Sequence, residues 1–285
     1  MKTFESIRQY SQETSAFQKR HKRFYTNCFL MPEEIARLIE KRKLRFSTPR
    51  GALLLLCDRT DYQNLYFYLA QEAPIPDLSV LYGGTRGNGK IFFDMVYSKN
   101  RPCREPTPLA QLIGQRNIRR YKCYQRMGIR LAGLQPSDFP CSLCPGYRLR
   151  KAPPPYAQIH SLWEAVLDEK STPLPDLEQL KDLSERGELF WVEHTSSGQP
   201  CAAAAVHIQG KQGTLQHLAV LPKHRRHGLA ESLCHMVIRK GISSELKVIK
   251  LWVDKENHPA IALYTKKGFM PEGMVCDQYF IERNI

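Results

Sequence analysis

The sequence has no apolar run able to span a bilayer. Strings such as Ala52 to Cys57 fall far short of the ~20 residues a membrane helix needs. The opening stretch MKTFESIRQYSQET lacks the apolar segment of a secretory signal. Cysteine is present without a frame: nine residues, odd in number and scattered, which speaks against a disulfide scaffold and suits a reducing cytoplasm. Cys141-x-x-Cys144 has no second pair at ribbon spacing, and two thiolates do not close a tetrahedral zinc site. His224 and His227 have no carboxylate beside them, so no metal is expected there either. Acidic residues are scarce in the first half. Residues 1–140 hold 24 Lys and Arg against 12 Asp and Glu, and the remainder is nearly balanced. A basic half meets anions of some kind or is simply a solvated surface. The length of 285 residues allows two ordinary domains with real cores.

What is present concentrates between Leu215 and Met236, which reads LQHLAVLPKHRRHGLAESLCHM. Leu218-Ala219-Val220-Leu221 has the form of a buried strand, and Pro222, unable to donate to a ladder, ends it. Arg225, Gly228 and Ala230 follow in the spacing R-x-x-G-x-A. From Leu229 the apolar positions Leu229, Leu233, Met236 and Val237 recur at helical spacing. A strand, a basic turn of small residues and a helix together aim free N–H groups and a helix dipole at one point, which makes an anion site. Gly228 and Ala230 keep side chains out of an anion's way. Alone, the spacing serves equally well as an ordinary strand–turn–helix corner.

A second stretch lies downstream. Lys247 to Val253 reads as a strand, followed by Asn257, a short helix from about Pro259 carrying Tyr264, and Gly268-Phe269. Together, LAVLPKHRRHGLA and N-x6-Y-x3-GF resemble the GNAT superfamily of acetyl-CoA-dependent N-acetyltransferases, over about Cys141 to Ile285. The resemblance implies that Arg225, Arg226, His227, Gly228, Leu229 and Ala230 hold the CoA pyrophosphate. It places Asn257 near the pantetheine arm and makes Tyr264 the acid that protonates the departing thiolate. It further implies that strand Thr214–Val220 splays from the Lys247 strand. Leu218, Ala219 and Val220 then lie beside the cofactor, with N–H groups around Ala219 and Val220 toward the thioester carbonyl. Members of the family place a Glu or His base at positions matching Thr214 and Gln216, and neither residue takes a proton at neutral pH. His217 is the candidate base that remains on the strand, although alternation points it to the opposite face. Glu193, His194, an ordered water, or an amine arriving partly unprotonated are the alternatives.

The first half repeats the second. Asn117, Tyr124 and Gly128 match Asn257, Tyr264 and Gly268 at a constant offset, and Arg86 and Gly89 match Arg225 and Gly228. Pro32-Glu33-Glu34 begins a pattern ending at Phe46, as Pro175-Asp176 begins one ending at Phe190. Ile91 stands where the second small residue of the turn belongs, so the first copy reads as degenerate. Gly84-x4-Gly89-Lys90 is a near miss to a phosphate-binding loop, rejected because Ile91 stands where Ser or Thr is required.

The expected fold is therefore mixed α/β, in two tandem GNAT-like units, each a mostly antiparallel sheet flanked by helices. The degenerate unit covers 1–138 and the catalytic one 139–285, with a Pro-, Ser- and Gly-bearing linker at Leu131–Cys144. The expected function is cytoplasmic transfer of an acetyl group from acetyl-CoA to a primary amine of a small or amino-acid-like molecule. No membrane or nucleic-acid partner is called for, and the acceptor and oligomeric state stay unassigned. A reading from another class is a non-catalytic CoA- or ligand-binding module whose basic half docks on an anionic partner. Retention of Tyr264 and Asn257 favours the enzyme.

Overall fold

Two neighbouring runs, Ala52 to Asp58 and Gln63 to Ala70, are apolar on both faces and β-rich, as fully buried strands are. In the computed structural model they form the centre of the first of two units. Residues 1–74, 76, 78–81, 90–98, 117–149 and 153–282 are described. The units are Met1–Tyr124 with Gly273–Ile285, and Gln125–Glu272. Both are mixed α/β, a mostly antiparallel sheet flanked by helices. This division differs from the single boundary at 138/139, because the end of the chain returns to the first unit.

The first unit runs β1 (Lys2–Thr3), α1 (Ile7–Arg20), β2 (Phe24–Thr26), α2 (Pro32–Glu40), β3 (Leu44–Ser47), β4 (Ala52–Asp58), β5 (Gln63–Ala70) and β6 (Ile91–Ser98). The start of β7 (Ile118–Arg130) and most of the last strand, β13 (Met270–Ile281), belong to it. The strand order is β1-β3-β4-β5-β6-β13. Leu54, Leu56, Leu65 and Phe67 pack with Ile91 and Phe93 on one face. Leu53, Leu55 and Tyr68 pack with Tyr10 and Phe17 of α1 and Ile35 and Leu38 of α2 on the other.

β5 is antiparallel to β4 and parallel to β6, but the parallel register holds only Gln63↔Ile91 and Asn64↔Phe92. Beyond it, the chain's own β2 takes the same edge, pairing Phe24–Thr26 with Tyr68–Ala70. Between the two, buried Asn27 donates from Nδ2 to the Leu65 carbonyl at 3.0 Å, and Phe67 N–H donates to Asn27 Oδ1 at 2.7 Å. One side-chain amide thus satisfies a donor and an acceptor that the parting of the strands would orphan.

The second unit takes the end of β7, then β8 (Tyr147–Leu149), α3 (Tyr156–Val166), α4 (Leu177–Glu185), β9 (Leu189–His194), β10 (Pro200–Gln209), β11 (Gln212–Val220), α5 (Leu229–Ser243), β12 (Val248–Asp254) and α6 (His258–Lys266). Its order is β7-β12-β11-β10-β9-β8. α3 and α4 cover one face through Ile159, Leu162, Trp163 and Leu180, against Trp191, Ala203, Ala205 and Ala219. α5 and α6 cover the other through Leu229, Leu233, Val237 and Tyr264, against Val206, Leu215, Ile249 and Leu251. The alanines Ala202 to Ala205 of β10 are all but inaccessible, and their small side chains let helices approach from both sides.

Two expectations are corrected. Leu131–Cys144 is not a linker: Phe139 is buried in the second core, its ring 5.6 Å from His235, whose Nδ1 lies 2.7 Å from the Pro140 carbonyl. Composition hid the apolar anchors Leu134, Phe139 and Leu143. The matched landmarks of the repeat also occupy different elements. Ile91 opens strand β6 and is fully buried, rather than lining a turn before a helix. Tyr124 and Gly128 lie on strand β7, whereas Tyr264 lies on a helix. Arg86 and Gly84 to Gly89 lie outside the described residues. The repetition is real at the level of helix, strand and parting pair, with Pro32–Phe46 and Pro175–Phe190 both folding as helix then strand. No described helix is long and apolar enough to cross a membrane.

Asn27→Ala is expected to orphan both the Leu65 carbonyl and the Phe67 N–H. At about 1–3 kcal/mol per buried unsatisfied group, the loss should be about 2–4 kcal/mol. Denaturant midpoints measure it; a change below about 0.5 kcal/mol, the level of an ordinary surface substitution, would mean that the edge does not depend on Asn27.

Candidate active site

β11 and β12 start as a regular parallel pair, Gln212↔Val248, Gly213↔Ile249 and Thr214↔Lys250, and the register ends there. The cause lies partly in β11 itself. Between Ala205↔Gln216 and Ala203↔Ala219, β10 advances two residues and β11 three, so β11 carries a bulge at His217-Leu218. His217 sits at φ +51, left-handed and strained for a residue with a side chain. A bulge bends its strand and adds twist, which carries the end of β11 away from β12. The open edge this creates is the expected splay.

The bulge also overturns the alternation argument for His217. Gln216 lies opposite Ala205, on the α3 face, and the extra residue sends His217 to that face too. Its ring is 5.0 Å from that of Trp163 on α3. Burial pushes the imidazole down to about 4, and its Nδ1 is buried with no hydrogen-bond partner. Trp163 Nε1 is likewise buried and unpaired. Of the alternative bases, Glu193 is buried and held by Arg148 at 2.5 and 2.9 Å. His194 packs 5.4 Å from the Tyr147 ring and 5.1 Å from that of His224.

At the end of β11, Leu218 and Val220 turn to the α5 layer and Ala219 to the α3 layer. The turn follows as a short 3-10 segment, Pro222–His224. Arg225 reaches back, its Nε donating to the Val220 carbonyl at 3.3 Å, and His227 Nδ1 lies 2.8 Å from the Arg225 carbonyl. Arg226 at φ +67 and Gly228 at φ +71 are both left-handed. Left-handed residues placed between right-handed or extended ones turn successive N–H groups toward one side, an anion-binding nest. A Cβ built on Gly228 meets no protein atom, so the space in front of the turn is open. Leu229 anchors the first turn of α5 in the core, and no side chain caps the N-terminus of that helix. Ala230 follows half-buried.

The next acidic residue, Glu231, is neutralised locally. Lys267 hydrogen-bonds it and Lys266 approaches to 3.5 Å, holding its carboxyl below the usual range. The same contacts tie the start of α5 to the end of α6. There Tyr264 is buried, its ring 5.8 Å from Phe269, and burial, then the neighbouring Cys234, raise its phenol pKa so that it keeps its proton at neutral pH. Asn257 is the N-cap of α6, its Oδ1 accepting from Ala260 N–H at 3.2 Å. The structure thus brings Arg225 to Ala230, the end of β11, Asn257 and Tyr264 into one half of the second unit, on and beside the α5 face. His217 stands on the α3 face. Three features were missed in the sequence: the bulge, which no Gly or Pro marks, the pairing of Glu231 with Lys266 and Lys267, and the cap made by Asn257. The last was legible as Asn before His-Pro.

An unfolded histidine takes its proton near pH 6.5, whereas folded His217 holds out to about 4. Its contribution to stability is therefore present above the unfolded value and is lost as pH falls through that window, where the unfolded chain binds the extra proton. The melting temperature of His217→Phe should fall less between pH 6.5 and 4 than that of the parent. Parallel curves would show that His217 titrates normally.

Residues 156–269 match the model of the Acetyltransferase (GNAT) family. No curated protein matches the chain in sequence. Among solved structures, the GCN5-related N-acetyltransferase from Sphaerobacter thermophilus aligns at 17% identity with a TM-score of 0.56, covering 99% of this chain and 94% of that one. A tandem GNAT protein from the clavulanic acid biosynthesis pathway aligns at 15% identity and TM-score 0.57, covering 81% of this chain and 79% of that one. The GCN5-related N-acetyltransferase from Kribbella flavida gives 13% and 0.53, over 88% and 95%. At these identities the structural likenesses establish the fold. The family match falls on the α3–α6 span that carries the parted strands, the turn and Tyr264, and the second unit of this chain is a GNAT acetyltransferase domain.

Proposed function

We propose that the second unit transfers the acetyl group of acetyl-CoA to a primary amine by direct attack, with Tyr264 as general acid. The observation that carries this reading is the coincidence of three features in one unit. The β11–β12 register stops at Thr214↔Lys250, an open left-handed turn leads into the uncapped α5, and a protonated phenol is buried beside that helix. The turn from Arg225 through Arg226, His227, Gly228 and Leu229 to Ala230 would hold the pyrophosphate with N–H groups and cationic side chains. Along Leu218, Ala219 and Val220, backbone groups on the unpaired edge would hold the pantetheine arm and polarise the thioester carbonyl. Because Asn257 Oδ1 is engaged in the cap, its Nδ2 is the atom left for the arm. In the transfer itself the N–C bond forms as the C–S bond breaks, and the thiolate takes the Tyr264 proton. His217, neutral but weakly basic, would accept the proton of the amine only as its charge develops in the bond-forming step; an amine already deprotonated needs less. The described cysteines form no disulfide among themselves, which supports a reducing compartment such as the cytoplasm.

The first unit has the same parting of parallel strands, filled by β2 and Asn27. Calorimetric titration with acetyl-CoA should therefore give one site per chain. Gly228→Val, whose side chain projects into the open space before the turn, should weaken that site on the order of a hundredfold, about 3 kcal/mol. Two equivalent sites, or an unchanged Kd in a folded variant, would overturn the assignment. Tyr264→Phe should lower kcat by about 10²–10⁴ while leaving CoA affinity near normal, the signature of a lost general acid. Undiminished turnover would make Tyr264 a packing residue.

A further inference from the structure

The turn and Tyr264 occupy the α5–α6 side of the second sheet, so with the cofactor bound there as proposed the α3 side is the one left for an amine. On that side β12 alternates. Ile249, Leu251 and Val253 enter the α5 layer, leaving Lys250 and Trp252 on the opposite face, Lys250 beside Thr214 of β11 and Trp252 just past the point where the strands part. Trp252 is 38% exposed, whereas the other two tryptophans, Trp163 and Trp191, are 0% and 5% exposed. An exposed indole on a sheet face beside an opened strand edge is a stacking platform. Arg126 holds it in place, its guanidinium 5.7 Å from the ring centroid and its Nε 2.6 Å from Glu272. Met270, on the same face as Glu272 by strand alternation, is 64% exposed and extends the apolar surface.

The charges around this platform favour one sign of ligand. Lys250, half-buried, has no carboxylate partner among the described residues. Glu272, the carboxylate against the platform's arginine, is paired with Arg126. An anionic group brought near Lys250 meets an unpaired cation, which favours a carboxylate there.

We infer that the acceptor is a small primary amine bearing both an aromatic ring and a carboxylate, its ring lying on Trp252 and its carboxylate meeting Lys250. This rests on the acetyl-transfer reading and deepens it by naming the substrate class. The test measures thiol release from acetyl-CoA with L-phenylalanine, with phenethylamine, which lacks the carboxylate, and with L-alanine, which lacks the ring. CoA binding is followed separately by calorimetry. The expected result is a kcat/KM for phenylalanine at least about tenfold above either control. Trp252→Ala should erase most of the preference over alanine, Trp252→Phe should restore part of it, and Lys250→Met should erase the preference over phenethylamine. CoA affinity should stay at the parent level in all three variants. Normal CoA binding with no phenylalanine turnover, equal use of the three amines, or a preference untouched by the substitutions would overturn the inference and leave the transfer reading standing. Failure to bind CoA at all would overturn both.

Discussion

A parallel pair of strands that parts after two or three residues leaves a row of backbone donors and acceptors with nothing to pair. Almost every such group in a folded protein finds a partner. This constraint appears twice in the chain, at β5–β6 and at β11–β12, and the two units answer it differently. In the first, the chain supplies the partner from within, as β2 and the amide of Asn27. In the second, the β11–β12 register stops at Thr214 with no other described strand in its place, and on the proposed reading the arm of acetyl-CoA, which carries amides of its own, pairs there. The same topology is therefore closed in one half and open in the other, and the difference rests on a few residues near Asn27.

Around the second parting, charge and burial are distributed by element. The turn is cationic, and the one carboxylate in the first turn of α5 is offset by two lysines from α6, so no net negative charge opposes an anion. Tyr264 stays protonated because the layer between α5 and α6 is apolar. On the other side of the sheet, His217 is kept neutral by burial against Trp163. Candidate acid and candidate base thus differ through environment and lie on opposite faces of the sheet.

Much of this was legible beforehand. Pro222, Gly228, Ala230 and the apolar spacing from Leu229 specify strand, turn and helix by local chemistry, and the strand from Lys247 and the helix near Pro259 lie within a residue or two of β12 and α6. The legible part ends where long-range pairing decides. Nothing around His217 announces a bulge, since the extra residue is defined only against β10. The segment from Leu131 to Cys144 reads as a linker because four or five apolar anchors are diluted among turn-forming residues. The repeat was detected, but its landmarks were matched by spacing, and Tyr124 and Tyr264 share a spacing without sharing an element. Asn27 carries no signal at all until β5 is seen beside it.

The return of the last strand has a consequence for the order in which the chain is built. β6 is held to β5 at only two positions, whereas it pairs with β13 from Ile91↔Ile281 to Ser98↔Met274. During synthesis the first half emerges with that long edge bare, and the complement arrives only after the entire second unit has been translated. The second unit contains all of its own strands within residues 125–272, so it can complete while the earlier one waits. Maturation then runs from the C-terminal half back to the N-terminal half, against the usual direction. A nascent chain stalled before residue 274 would expose an unpaired, apolar strand, the kind of edge that recruits chaperones or other copies of itself.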